Sequence, residues 1–504
     1  MSSLAVVYSR ASVGIHAPQV VVETHLSRGL PRFTIVGLPE AAVKESKDRV
    51  RSALLQSGFT FPRGRITVNL APADLPKEGG RFDLPIAISV LLATEQLSCN
   101  AILEYEFAGE LGLSGELRHL KGILPFALGA QNAARHFVIP KCNEEEASWV
   151  SPLNIFAFPN LLAVCAHLSG ENPLQPSQVK LDETNYRASY ACLSEVCGQH
   201  HAKYALEIAA AGGHSLLMIG PPGTGKTMLA SRLIGILPPL TKPEALEVAA
   251  LYSISHQGFQ KDPFLKRPFR RPHHTASAIS LVGGGRHPLP GEISLAHHGI
   301  LFLDELPEFS RHVLEVLREP LESGRVHISR AAGQADYPAS CQLIAAMNPC
   351  PCGYLSDPRQ ECCCSPQQIQ RYRNKISGPL LDRIDMHIEV PALGAEHLSS
   401  FHPKQEEQSE IIQQRVIQAR DRQLRRSLRT NAKLTPSEII EFCPLDNAAQ
   451  SLLTSALEKL GISARAYHRI LKVARTIADL TANEQIQSNH IAQAIQFRKY
   501  DRQL

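Results

Sequence analysis

The sequence predicts an α/β protein with a helical C-terminal segment, and three stretches carry that prediction. The apolar run Leu216-Leu217-Met218-Ile219 leads directly into Gly220-Pro221-Pro222-Gly223-Thr224-Gly225-Lys226-Thr227. A second apolar run, Ile300 to Leu303, ends in Asp304-Glu305, and a third, Leu343 to Met347, ends in Asn348. Short apolar runs that stop at polar residues are expected to be buried strands of a parallel sheet. A lone G-x-x-x-x-G-K-T pattern arises by chance. Three such strands, each closing on a residue suited to phosphate, magnesium or water, define a phosphate-binding loop (P-loop) protein.

The rest of the chain divides around that core. At about 100–200 residues per domain, 504 residues make roughly two to four domains. Residues 1–175 alternate strand-like runs (Val20 to His25, Phe33 to Val36, Ile66 to Leu70) with helical ones (Ala41 to Gln56, stopped near Gly58, and Leu84 to Ala93), a mixed α/β domain. Residues 176–200 are polar and are expected to be a linker. The P-loop core spans 201–395, opening on a helix from Lys203 to Ala211. Residues 396–504 are expected to be helical: Thr435-Pro436-Ser437-Glu438 is a capping box with proline at the first helical position, and Leu452 to Leu460 and Ala466 to Leu480 have apolar spacing of three and four.

Composition excludes some classes. A net charge of +4 is too small to argue for nucleic acid by itself, so a DNA-binding case rests on local patches. The N-terminus lacks the features of a signal peptide, and no stretch of about 18 uncharged apolar residues occurs. The expectation is a cytoplasmic protein without a membrane span.

The chemistry of the core follows from its residue types. The glycine-rich turn lets backbone N–H groups approach phosphates, and the following helix points its positive end at them. Lys226 is expected to reach the β- and γ-phosphates of ATP, and Thr227 to place its hydroxyl on Mg2+. Asp304 is expected to hold the same Mg2+. Glu305 orients the attacking water, and Asn348 holds that water against the γ-phosphate.

The stretches Gly291 to Leu306 (GEISLAHHGILFLDEL), Ala346 to Gly353 (AMNPCPCG) and Ser377 to Asp385 (SGPLLDRID) resemble the magnesium-chelatase-like AAA+ ATPases. Over nearly all of its length the chain resembles the YifB/ComM family of bacteria. The resemblance implies an AAA+ core similar to that of the MCM replicative helicases, a helical lid, and hexameric rings with ATP between subunits. It also implies that Arg383 is an arginine finger acting on a neighbour's ATP, and that Arg465, in Ser463-Ala464-Arg465, is the second sensor. The alternatives are an intramolecular pair of Arg383 with Asp382 or Asp385, and a solvated helix position for Arg465. The implied activity is an ATP-driven DNA helicase acting on single-stranded and branched DNA, promoting branch migration in natural transformation and homologous recombination.

The N-terminal domain resembles the Lon protease domain, a relative of the ribosomal S5 domain 2-like fold. The stretch Asp74 to Asp83 occupies the region of the Lon nucleophile and contains no serine. The position of the catalytic lysine falls on Leu124, with Lys121 offset by three. A Ser–Lys pair needs both members, so a noncatalytic domain is expected, serving DNA contact or ring assembly.

Of the 12 cysteines, five crowd into positions 350–364, and the other seven are expected to be small buried apolar residues. Cys350, Cys352, Cys362 and Cys364 can close a tetrahedral structural Zn2+ site, although C-x-C is tighter than the usual C-x2-C. The alternative is a reduced loop without metal. Two stretches are locally basic: Lys261, Lys266, Arg267, Arg270, Arg271 and Arg286, and then Arg415, Arg420, Arg422, Arg425, Arg426, Arg429 and Lys433. Such patches attract phosphates, but the second also fits a solvated helix face. Arg270 and Arg271 are candidate DNA contacts, as are Arg325 and Arg330 on the hairpin strand expected at Gly324 to Arg330. The pairs His273-His274 and His297-His298 are expected to be structural or pore-adjacent rather than metal ligands, since adjacent histidines rarely face one ion and no carboxylate has helical ligand spacing to them. The competing functions are a metal-chelatase motor subunit and an ATP-dependent unfoldase.

Overall fold

A computed structural model describes residues 3–38, 40–177, 190–259, 265–285, 288–330, 333–355, 357, 359–394, 406–460 and 463–498. Two sheets organise it. The N-terminal sheet has seven strands in the order 32–36, 65–71, 19–27, 3–10, 105–107, 136–140 and 155–158. Strand Arg65–Ala71 alternates buried and less buried residues, as a strand covered on one face must. Helix Asp83–Ala93 is apolar all round and is buried at ten of its 11 positions, packing against strands 3–10 and 19–27. Within that core Glu106 accepts from Arg10 (2.5 and 2.7 Å) and from Arg135 (3.0 Å), so its buried carboxylate is paired.

The second sheet has five parallel strands in the order 269–270, 300–303, 342–347, 216–219 and 386–389. Strands Leu216–Ile219, Ile300–Leu303 and Gln342–Met347 are buried at every residue, the pattern of a parallel sheet covered on both faces. Their register decides where chemistry is possible. Ile219 lies opposite Met347, and Leu303 opposite Ala345, so Gly220, Asp304 and Asn348 emerge at one edge.

Helices Ser409–Ser427, Pro436–Phe442, Asn447–Leu460, Ala464–Leu480 and Ser488–Gln496 form the C-terminal part. Thr435 and Glu438 make the capping box that the sequence announces. The basic face of helix 409–427 turns inward. Arg415 pairs with Glu207 (2.6 Å), Arg420 donates twice to the Ala210 carbonyl (2.9 and 2.7 Å), and Arg426 pairs with Asp479 (2.8 and 2.9 Å). Their charges hold the helix to the body, which corrects the expectation of a solvated or DNA-facing stripe at those three positions.

The two sheets are joined by shared packing. Ala245, Ala249 and Ala250 of helix Lys242–Ile254 share one core with Ile123, Leu124 and Trp149, and Ser253 donates to the buried Glu146 at 2.5 Å. Leu124 is therefore a core residue. Residues Asp74 to Glu78 and Lys121 line a cavity of about 600 Å3 that also touches Gln334 and Tyr337 of the hairpin Arg325–Arg330/Gly333–Pro338. Part of the expected linker, residues 178–189, lies outside the described residues, as do Lys261 and Arg286. Among the described residues no helix is long and apolar enough to cross a membrane. Of the seven scattered cysteines, Cys165 and Cys443 are buried as expected, whereas Cys142 is exposed.

Candidate nucleotide site and its neighbouring clusters

The P-loop takes its shape from two glycine positions. Gly225 sits at φ +87°, a conformation L residues rarely adopt, and opens helix Lys226–Leu233. Gly220 passes so close to the strand end at Val390 that a Cβ there would lie 2.2 Å from the Val390 carbonyl oxygen. Thr224 closes the turn by donating to the Pro221 carbonyl at 3.0 Å.

Lys226 lies across this turn. Its ammonium donates to the carbonyls of Gly220 and Pro221, each at 2.7 Å, and to Asn348 Oδ1 at 3.3 Å. Burial pushes its pKa down to about 8, against the pull of Asp304 and Glu305. The Thr227 hydroxyl donates to Asp304 Oδ2 at 2.9 Å. One cleft thus gathers Lys226, Thr227, Asp304 and Asn348. A hydroxyl beside a carboxylate is the oxygen donor pair that suits Mg2+, so these residues fit the ion expected there. Glu305 follows at φ +52°, a strained position for a non-glycine residue, with its N–H on Asp304 Oδ1 at 3.1 Å.

Two residues at this cleft escaped the sequence reading in that role. Arg271 donates to Asp304 Oδ2 at 2.7 Å, and His274 Nδ1 lies 3.4 Å from the Glu305 carboxylate. Arg271 was expected at DNA and instead faces the acidic pair. The signal was the register of strand Phe269–Arg270, which pairs Arg270 with Leu301 and so delivers the next residues beside Asp304. Arg270 itself forms a two-pronged ion pair with Glu292 (2.6 and 2.8 Å). Arg325 is exposed on its strand beside the buried Val326, and the Arg330 side chain lies outside the described residues.

Arg383 and Arg465 line a different pocket, of about 160 Å3, together with Glu322, Asp382, Arg469 and Lys472. No P-loop residue lines it. Arg383 pairs with Glu322 at 2.7 Å and donates to the Pro379 carbonyl at 2.7 Å, so its partner is neither Asp382 nor Asp385. Asp385 is taken by Arg469, by His214 at 3.4 Å and by the Ser215 N–H at 3.0 Å. Burial would raise its pKa, but Arg469 and His214 hold it well below the usual carboxylate range.

The cysteine cluster packs beside the P-loop. Gly353, just after Cys352, runs so close that a Cβ there would meet Pro222 at 2.8 Å. Cys350, Cys352, Cys362 and Cys364 bring four sulfurs within 4.8 Å of one another, with Sγ···Sγ separations of 3.4, 3.7 and 3.6 Å among the first three. Tetrahedral Zn–S bonds of about 2.3 Å require about 3.8 Å between sulfurs, so the geometry fits the ion. The Tyr354 N–H holds the Cys352 thiol down to about 6. Cys363 is exposed and stands outside the group.

His297 and His298 do meet a carboxylate, supplied from a distant helix: Glu247 Oε2 accepts from both Nε2 atoms (3.0 and 2.8 Å). His297 Nδ1 accepts from the Ser340 N–H at 3.0 Å, which leaves the proton on Nε2. That nitrogen has no lone pair for a metal, and the trio is a structural clamp.

A parallel sheet that presents Lys226, Thr227, Asp304 and Asn348 at one edge is that of an AAA+ ATPase of the magnesium-chelatase class. Family models of the magnesium chelatase subunit ChlI match residues 192–398 and, for its C-terminal part, 406–498; a further model of subunit ChlI of Mg-chelatase matches 22–143. The chain is 51% identical to competence protein ComM of Haemophilus influenzae over 98% of this chain and 97% of that one. It is 49% identical to the YifB protein of Salmonella typhimurium over 100% and 98%. Similarity to the magnesium-chelatase 67 kDa subunit of Heliobacterium mobile is 26% and covers 39% of this chain and 30% of that one. The chain belongs to the YifB/ComM family of magnesium-chelatase-like AAA+ ATPases.

Proposed function

We propose that the chain is a cytoplasmic, ATP-driven DNA helicase that works as a hexameric ring on single-stranded and branched DNA, promoting branch migration during natural transformation and homologous recombination. The observation that carries this reading is the separation of Arg383 and Arg465 from the chain's own P-loop. Two guanidinium groups in a pocket without a nucleotide loop make sense if a neighbouring subunit supplies the ATP. In that arrangement Arg383 is the finger and Arg465 the second sensor. Lys226 exchanges loop carbonyls for phosphate oxygens, Thr227 and Asp304 hold Mg2+, Glu305 and Asn348 position water, and Arg271 steadies Asp304. Mg2+ supplies charge neutralisation on the phosphates.

Residues 1–175 form a Lon-like, noncatalytic domain, 176–200 the linker, 201–395 the ATPase core and 396–504 the lid. Arg325 and Arg330 on the hairpin contact DNA in the ring's pore. The full-length likeness to a competence protein supports the DNA reading. The chelatase-motor alternative draws on the ChlI family models and on a 26% likeness to a chelatase subunit that covers 39% of the chain. An unfoldase is the remaining alternative.

ATP turnover by the purified protein, measured with and without single-stranded and branched DNA, tests the proposal. Stimulation of several-fold that weakens steeply as salt rises is expected. Turnover indifferent to DNA removes the motor reading and moves the chelatase-type and unfoldase readings ahead.

The four-cysteine group holds a structural Zn2+ that braces the loop between Asn348 and the P-loop. Metal analysis is expected to find one zinc per chain. Cys350→Ser with Cys362→Ser should release it, lower the melting temperature by several degrees and depress turnover. Zinc well below one per chain in the parent protein rules the site out.

A further inference from the structure

The amino ends of strands 216–219, 300–303 and 342–347 border a cavity of about 260 Å3, on the opposite edge of the sheet from the P-loop. Its far wall is the end of helix Ser409–Ser427 and the loop beyond it. Four cations line it, Arg267, Arg420, Arg429 and Lys433, against a single carboxylate, Glu244. Arg267 is committed to structure: it donates to the carbonyls of Pro238 (2.6 Å), Pro239 (3.3 Å) and His298 (2.5 Å). The others are not. Arg420 donates to the Ala210 carbonyl, and Lys433 to the Ser340 hydroxyl at 2.5 Å. Neither has a carboxylate within ion-pair distance among the described residues. Arg429 stands 3.5 Å from Glu438.

Two carboxylates, Glu244 at 3.6 Å from Arg267 and Glu438 beside Arg429, thus answer four cations, and positive charge is in surplus in a concave, partly desolvated place. Burial and the neighbouring Arg267 lower the pKa of Arg420, and burial and the neighbouring Arg420 lower that of Lys433. Crowding cations costs free energy that an anion with several acceptor oxygens offsets. Guanidinium forks, a lysine ammonium and the Ser340 hydroxyl are the donor set that phosphate oxygens match.

We propose that this cavity binds a phosphate group, as a second site separate from the P-loop. The group comes either from free phosphate or pyrophosphate, or from a single-stranded DNA backbone. The inference deepens the DNA reading in the second case and is independent of it in the first.

The test uses the full-length chain carrying Lys226→Ala, which disables phosphate binding at the P-loop, with and without Lys433→Gln. In one arm, thermal unfolding is followed in inorganic phosphate and in pyrophosphate, each against chloride at matched ionic strength. In the other, anisotropy of a fluorescein-labelled oligo-dT is followed as salt is varied. If the source is free phosphate, the melting temperature rises with phosphate or pyrophosphate, and Lys433→Gln abolishes the rise. If the source is DNA, Lys433→Gln weakens oligo-dT binding roughly tenfold and flattens the slope of log affinity against log salt by about 0.7, one phosphate contact. Arg420→Gln should act in the same direction. Lys433→Gln is the decisive variant, because its loss removes one hydrogen bond, to Ser340, and no ion pair among the described residues. Unchanged behaviour in both arms overturns the proposal. So does a smaller assembly on sizing with neither arm altered, which would make a neighbouring subunit's carboxylate the counter-charge.

Discussion

Lys226→Ala is expected to abolish ATP turnover while leaving the fold intact. The ammonium spans the P-loop, touching the Gly220 and Pro221 carbonyls and Asn348, so it stands where negative charge would gather on phosphate oxygens. Removing a preorganised charge of this kind lowers kcat by about 10²–10³-fold, roughly 3–4 kcal/mol of barrier. Loss of a desolvated cation should cost the apo protein little, so a melting curve near that of the parent is expected beside the lost activity. The pH dependence has a definite sign. The free enzyme's Lys226 is pushed down to about 8, so ATP affinity should fall as pH rises through that value, because binding must first return the proton. Equilibrium titration with a fluorescent ATP analogue from pH 7 to 9.5 checks this, and Lys226→Ala should lose the dependence. Turnover within a few-fold of the parent in Lys226→Ala would remove the lysine from the site.

Arg383→Ala is expected to bind ATP normally and to lose hydrolysis by about 10³-fold or more, the range an arginine finger commands. Its guanidinium is held by Glu322 and the Pro379 carbonyl in a pocket with no P-loop residue, so its effect should pass between subunits. Mixing makes that visible. Arg383→Ala and Lys226→Ala chains are each inactive alone, but in a mixed ring some sites pair an intact P-loop with an intact finger. Partial recovery of turnover on mixing is expected. Recovery absent at every ratio, with mixed assemblies demonstrated, would mean that Arg383 does not act across an interface.

The nucleotide cleft was almost fully legible in the sequence, and the reason is local. Gly220, Asp304 and Asn348 each follow an apolar strand, with Lys226 and Thr227 one glycine loop further on, and burial on both faces forces such strands to be short and apolar, so the pattern survives in one dimension. The same holds for helix Asp83–Ala93 and for the capping box at Thr435, whose partners lie within a turn. Where the partner lies far along the chain, the reading weakened. Arg271 looked like part of a basic patch, and only its closeness to Asp304 gives it another task. Arg415, Arg420 and Arg426 looked like a solvated stripe until Glu207, Ala210 and Asp479 were brought against them. Glu247 could not be matched to His297 and His298, because the three meet only after helix Lys242–Ile254 packs beside helix Glu292–Leu295.

The sequence by itself therefore determined the main elements, the family and which residues of the three core strands gather in one cleft, because propensity, hydrophobic period and loop motifs act over a few residues. Tertiary structure alone decided how charges are spent: which arginines hold helices down, which stand at the acidic pair, and which crowd a cavity that holds more cations than carboxylates. Electrostatic pairing depends on distance in space and on desolvation, and neither is written in the order of residues along the chain.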